Sequence, residues 1–285
     1  MNQASPHFKG VLMTLLGVLI LSPDALLVRL VETDPWTLLF WRSLLSAMVF
    51  SVLIPLSGRR LDEGAKRLGA STFTVACLLA IANVLFILSL TATTAANTLL
   101  IIGATPLFAA VLAFFVYKER LDKRTALAIG GALCGILIIF AGDIGGGSLV
   151  GDLAAAGAAV AQASAFVAIR HHPSVSAPTA LGLGLLLAAI FSLPLATPLS
   201  VPAESYLPLA IMGLAVLPIS FLLITQGPKY IHAAEVGLIM LLETILGPLM
   251  VWAVLDEVPA DATFLGGALV FGTLLAHALA DLRKA

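Results

Sequence analysis

The stretch Gly237 to Trp252, GLIMLLETILGPLMVW, is apolar over sixteen residues apart from Glu243 and Thr244 near its centre. What a carboxylate does there depends on the medium around the segment, and composition names that medium. Of 285 residues, 60% are hydrophobic and 11% charged, with a mean hydropathy of +1.08, whereas a soluble domain is about 25% charged. The chain is an integral membrane protein. Its apolar runs approach the roughly 20 residues that a helix needs to cross a bilayer core about 30 Å thick, and a barrel would give a much weaker pattern of short alternating strands.

Hydropathy places ten spans at roughly 10–30, 36–56, 69–90, 95–116, 124–141, 150–170, 178–196, 206–226, 234–254 and 262–281. Almost nothing is left for a soluble domain. The first run follows SPHFK, is too long for a signal-peptide core and has no small-residue cleavage site after it, so it is read as a retained helix. Cys77 and Cys134 fall inside spans, where a free Cys behaves as a small hydrophobe; neither a disulfide nor a metal site is expected, and no cofactor. The net charge of −1 gives no reason to invoke nucleic acid. DIGGGSLVGD, Asp143 to Asp152, lacks the Lys-Ser/Thr ending and preceding strand of a phosphate loop and reads as a flexible connection.

Lys and Arg are retained on the cytoplasmic side of a membrane. With the N-terminus inside, Lys9, Arg59, Arg60, Lys66, Arg67, Lys118, Arg120, Lys123, Arg124, Arg170, Lys229, Arg283 and Lys284 are cytoplasmic, 13 of the 15 cations. Arg29 and Arg42 remain. The connections TATTA, DIGGGSLVGD, TPLSVPAES and DEVPAD carry no cation and are placed outside, with both termini cytoplasmic.

The opening stretch has a counterpart 138 residues earlier, LLIIGATPLFAAVLAF, Leu99 to Phe114. Ala95-Ala96 matches Ala233-Ala234 and Glu119 matches Glu257 at the same offset. After a two-residue gap, GGAL at Gly130 meets GGAL at Gly266, and Gly10, Leu12 and Arg29 meet Gly151, Leu153 and Arg170 at an offset of 141. Each half holds five spans, and an odd number makes the halves cross in opposite senses. The expected fold is thus an all-α membrane protein of ten transmembrane helices arranged as two inverted five-helix repeats, residues 1–145 and 146–285. Such halves meet across a midplane site, and rocking one against the other alternates access. Pro106 and Pro248 are expected to interrupt the fourth helix of each half, and Pro23 and Pro218 to break helices elsewhere, each freeing a carbonyl; the alternative is an ordinary kink tolerated by packing.

These residues carry a resemblance. Asn97 to Leu121, NTLLIIGATPLFAAVLAFFVYKERL, resembles the fourth helix and following Glu-Arg-Leu of EamA-type repeats in the drug/metabolite transporter superfamily. LLETILGPLMVWAVLDEV is similar to that family's Glu-bearing ninth helix, but Thr244 stands where the family usually has Pro, which here comes at Pro248. The match in span count, inverted halves and motifs covers nearly the whole chain. Within the superfamily the chain most resembles the YddG-type exporters of aromatic and other neutral amino acids. This implies a secondary transporter, not an enzyme, in the bacterial inner membrane.

Ionisable groups at the bilayer centre are expensive and usually face a cavity or a partner. Asp24, Arg42 and Glu243 are the charged residues inside spans. Asn83 and Phe86 lie one helical turn apart on one face, and Trp41 stands beside Arg42; together these can line an amphipathic pocket. Arg42 either snorkels along the lipid face, or lines the cavity or pairs with a carboxylate, and an Arg in this second-helix position resembles the family pattern. Asn97, Gln162, Ser164 and Gln226 complete the candidate substrate-binding set, with helix-to-helix hydrogen bonding as the structural alternative. Trp36 and Trp252 fit interfacial anchors. Glu243 has three competing roles: a pin to a neighbouring helix, a proton-coupling group, and an acceptor for a substrate ammonium.

The function expected is export of small amphipathic metabolites, chiefly aromatic and other neutral amino acids, by alternating access. A zwitterion wants an acceptor, donors and an apolar wall. A nucleotide-sugar or sugar-phosphate carrier would need several cations for phosphate, and only Arg42 lies deep in a span. A membrane-embedded enzyme lacks a motif such as HExxH. The expected partners are a small-molecule substrate and the lipid bilayer, with the chain acting as a monomer.

Overall fold

The computed structural model describes residues 6–56, 69–118, 123–142, 149–172, 175–226, 230 and 233–282. All regular structure among these residues is helical. In chain order the helices are α1 (Pro6–Leu21), α2 (Asp24–Leu30), α3 (Pro35–Leu56), α4 (Ala70–Ala92), α5 (Ala95–Gly103), α6 (Thr105–Tyr117), α7 (Lys123–Gly142), α8 (Leu149–His171), α9 (Ala177–Ser192), α10 (Tyr206–Ala210), α11 (Leu217–Gln226), α12 (Ala233–Leu255) and α13 (Asp261–Leu282). Five described segments are long and apolar enough to cross a membrane: His7–Leu30, Pro35–Leu53, Ala70–Ala92, Leu149–Ile169 and Ala203–Ile224. The bent pair α5–α6 makes a sixth, and Ala126–Ile139, Pro178–Ser192 and Leu242–Leu255 are shorter apolar helices.

Local chemistry explains where the helices break. The stretch read as one span from 95 to 116 is two helices, bent by 40°. Pro106 has no N–H to reach the Ile102 carbonyl, and the Thr105 hydroxyl donates to that carbonyl instead, at 2.6 Å. Pro106 then sits in the first turn of α6, where its missing donor costs nothing. Pro23 separates α1 from α2, and the Ser22 hydroxyl folds back to the Val18 carbonyl at 2.8 Å. Ahead of Pro218 the chain runs as a π-helix, Ile211–Val216, with the Leu217 N–H donating to the Met212 carbonyl; the widened turn makes room for the proline ring. Pro248 departs from expectation. α12 runs unbroken through it from Ala233 to Leu255, held by its packing on α1, α5 and α13, so the two fourth helices differ in shape.

Helix pairing has the symmetry of a duplicated unit. α4 packs on α8 as α1 packs on α11; α5 and α6 pack on α8 as α12 packs on α1; α7 meets α13, α3 meets α9, and α5 meets α12. Exchanging the halves maps this set onto itself. Backbone geometry repeats as well: among the described residues, Lys118 and Asp256, 138 positions apart, are the non-glycine residues with positive φ, 57° and 53°. Each follows the last turn of the fourth helix of its half.

Small residues set the close contacts, as expected where lipid supplies no hydrophobic drive between helices. α8 turns Ala155, Ala158, Ala159, Ala163 and Ala165 inward while Leu153, Val160 and Phe166 face out. α7 and α13 cross at Gly135 and Gly266, where a methyl on Gly135 would stand 2.6 Å from the Gly266 carbonyl oxygen. The largest core joins Val18, Leu39, Phe50, Ile87, Leu99, Met212, Leu217 and Val251, residues from both halves.

Candidate functional site

α2, α3, α4 and α12 bring a charged cluster together in the middle of the bundle. Asp24 enters because the Pro23 break starts a new helix there. Its Oδ2 accepts from the Arg42 Nη2 at 2.7 Å, and both side chains are 4% exposed. Arg42 is therefore buried and paired rather than snorkelling. Its Nη1 donates to the Asn83 Oδ1, the Asn83 Nδ2 donates to the Ser43 hydroxyl at 2.8 Å, and the guanidinium lies 5.4 Å from the Phe86 ring centre. Asn83 and Phe86 thus share one face of α4, as their spacing implied. The pair is incompletely satisfied: the Asp24 Oδ1 and the Arg42 Nε are buried without a hydrogen-bond partner among the described residues. Glu243, partly buried on α12, is within Coulombic reach of Asp24. Two acids against one cation leave the cluster with a surplus acid, which a proton or a positively charged group would balance.

Trp41 points elsewhere. Its indole N–H donates to the Pro198 carbonyl at 3.1 Å, beyond the end of α9. Gln162 and Ser164 lie partly buried on α8, and the Ser164 hydroxyl donates back to the Val160 carbonyl at 2.7 Å, within its own helix. The Gln226 side chain lies outside the described residues.

Asn97 belongs to a second cluster, at the end of the bundle where α2–α3, α4–α5 and α12–α13 connect. Asp152, read from sequence as the edge of a loop, is instead in the first turn of α8 and fully buried. The Thr93 hydroxyl donates to its Oδ1 at 2.8 Å, and the Asn97 Nδ2 donates to both oxygens at 3.2 and 3.3 Å. Thr263 on α13 donates to the Asn97 Oδ1 at 2.6 Å. Alongside, the Glu257 Oε1 accepts the Ala95 backbone N–H at 2.8 Å and pairs with the Arg29 Nη2 at 3.3 Å, while Arg29 also donates to the Thr93 carbonyl. Sequence reading missed this cluster because its members are spread from 29 to 263; the Glu119–Glu257 match was the available signal.

A third set closes the same end. Asp34 caps α3, accepting the backbone N–H groups of Trp36 and Thr37 at 3.0 and 2.9 Å, and the Thr197 hydroxyl donates to its Oδ2 at 3.2 Å. Partial burial would raise the Asp34 pKa, but hydrogen bonds from Thr37, Thr197 and Trp36 outweigh it and hold the carboxyl below its ordinary value.

Two blocks of sequence are recognisable in this arrangement: the profile of the EamA-like transporter family matches residues 8–141 and again 149–277. The chain belongs to the EamA-like transporter family. It is a multi-pass membrane transporter of two repeats. A solved structure described as "Crystal structure of protein" is similar in fold, with a TM-score of 0.69 at 19% identity, covering 98% of this chain and 100% of that chain. No curated protein matches the chain.

Proposed function

We propose that the chain is a ten-span, inverted-repeat carrier of the bacterial inner membrane, with both termini cytoplasmic, that exports small amphipathic metabolites, chiefly aromatic and other neutral amino acids. The supporting observation is the unmet valence of the central ion pair: among the described residues, the Asp24 Oδ1 lacks a donor and the Arg42 Nε lacks an acceptor. A zwitterion carries both complements, an ammonium to donate and a carboxylate to accept. Glu243 on α12 adds a further carboxyl acceptor to the cluster, and Phe86 offers an apolar wall. A buried pair of this kind is weak as a stabilising device, because desolvation offsets most of its attraction, which favours a role beyond holding helices.

A sugar-phosphate or nucleotide-sugar substrate fits less well. Its phosphate needs several free cations, and the Arg42 charge is taken by Asp24. In the proposed cycle the substrate enters from the cytoplasm, the halves rock about the α7–α13 and α3–α9 contacts, and the site opens to the opposite face. Purified protein in liposomes tests the reading: saturable counterflow of phenylalanine or leucine, without chemical change, is the expected result. Counterflow of sugar phosphates with none of amino acids would replace it with the other carrier class, and chemical turnover of substrate would point to an enzyme.

A further inference from the structure

We infer that Arg29, Glu257 and the Asp152 cluster form the gate that closes one face of the transport path, the face the charge pattern reads as external. The inference rests on the carrier reading proposed above. Three observations carry it.

First, most bonds of the cluster join the two sequence halves, which the proposed rocking parts; of those named, the Arg29 bond to the Thr93 carbonyl stays within the first half. Arg29 on α2 and the Thr93–Asn97 turn come from the first half; Glu257, Asp152 and Thr263 come from the second. Glu257 alone ties three elements, since its Oε1 accepts from the Ala95 backbone and from Arg29, whose other contact is the Thr93 carbonyl.

Second, the chemistry is that of a reversible contact. The Arg29–Glu257 side chains are 23% and 24% exposed, so water can solvate both partners when they part, and the charge–charge gain stays modest. Asp152 accepts from the neutral donors Thr93 and Asn97, and it lies in the first turn of α8, where helix N–H groups favour a carboxylate.

Third, the cluster is mechanically joined to the central site. α2 carries Asp24 and Arg29, α4 and α5 carry Asn83 and Asn97, and α12 carries Glu243 with Glu257 just past its end. Loss of these contacts at one end frees the same helices that hold the site.

The test uses the full chain in sealed vesicles with Cys77 and Cys134 replaced by Ala and Phe86→Cys as reporter, labelled by a charged thiol reagent from either side. Glu257→Gln keeps the acceptor for Ala95 and deletes the charge. External labelling is expected to rise up to about fivefold, the population shift that about 1 kcal/mol of lost closed-state preference gives, while labelling from the cytoplasmic side falls. Thr263→Val, nearly isosteric, should shift the rates the same way to a smaller extent, and serves if Glu257→Gln fails to insert. Unchanged rates in both variants, or a rise from both sides together, overturns the gate. Asp256→Cys assigns the face: labelling from the cytoplasm alone would move the gate to that side and refute the topology, whereas absence of amino-acid counterflow in the wild type would refute the substrate reading.

Discussion

Asp24→Asn is the sharpest probe of the central cluster, because it preserves shape and an acceptor for the Arg42 Nη2 while deleting one charge. Arg42 would be left 3% exposed, with Asn83 and the Phe86 face as its remaining contacts. Removing one partner of a buried pair costs about 3–5 kcal/mol, and the retained hydrogen bond places this variant at the low end, about 3 kcal/mol. At about 2–4 °C per kcal/mol, the melting temperature in detergent should fall about 6–12 °C. Adding Arg42→Gln removes the stranded cation, so the double variant should recover at least half of that loss, a coupling that a double-mutant cycle reads directly. An Asp24→Asn protein melting within about 2 °C of wild type, or a double variant no more stable than the single, would mean that the two charges are not an energetic unit and that the cluster is wetter than its burial indicates.

Glu243→Gln is expected to insert and melt like the wild type but to lose most amino-acid counterflow; unchanged transport at equal expression would leave Glu243 as a tolerated polar residue and return attention to Asn83 and Arg42. Gly135→Ala should destabilise the fold by about 1–3 kcal/mol through overpacking, because its methyl meets the Gly266 carbonyl of the backbone as well as the Val270 side chain; a neutral effect in thermal melts would show that α7 and α13 slide freely. The Asp34 carboxyl has a lowered pKa in the folded state, so its stabilisation is present above its unfolded value and is lost as the pH falls through the folded value. Melting curves of wild type should accordingly drop on the acid side, below the ordinary carboxylate value of 3.8, by more than those of Asp34→Asn; parallel curves would count against the cap.

Fold class was legible because the bilayer writes itself into composition: long apolar runs, cations confined to alternate connections, and two copies of one motif pattern. The αL residues Lys118 and Asp256 stand at the 138-residue offset that the sequence repeat carries. Helix shape was less legible. Pro106 and Pro248 look equivalent in sequence, yet only the first sits beside a break, since Thr105 supplies a hydroxyl to the orphaned Ile102 carbonyl and Ala104 ends α5. Of the candidate residues, Arg42, Asn83, Phe86 and Glu243 gather around Asp24, while Trp41 and Asn97 serve other contacts. Periodicity identifies which residues share a helix face but says nothing of which helix that face meets, so Asp24 stood out as a charge inside a span while its specific pairing with Arg42, and the parts played by Asp152 and Thr263, emerged only with the tertiary packing.

That packing gives α2 a position of leverage. It is seven residues long, cut from α1 by Pro23 and anchored at both ends by charge: Asp24 to Arg42 in the centre, and Arg29 to Glu257 at the bundle's end. α12, which packs on α2, likewise places Glu243 near Asp24 and sends Glu257 to Arg29 just past its own terminus. α2 and α12 therefore share two charged contacts. Parting Arg29 from Glu257 requires α2 or α12 to move, and on the gate inference either movement changes the separation of Asp24 and Glu243, hence the field at the central site. The coupling runs chiefly through α2, whose seven residues place Asp24 and Arg29 only five positions apart, too short a rigid helix to move one end without the other.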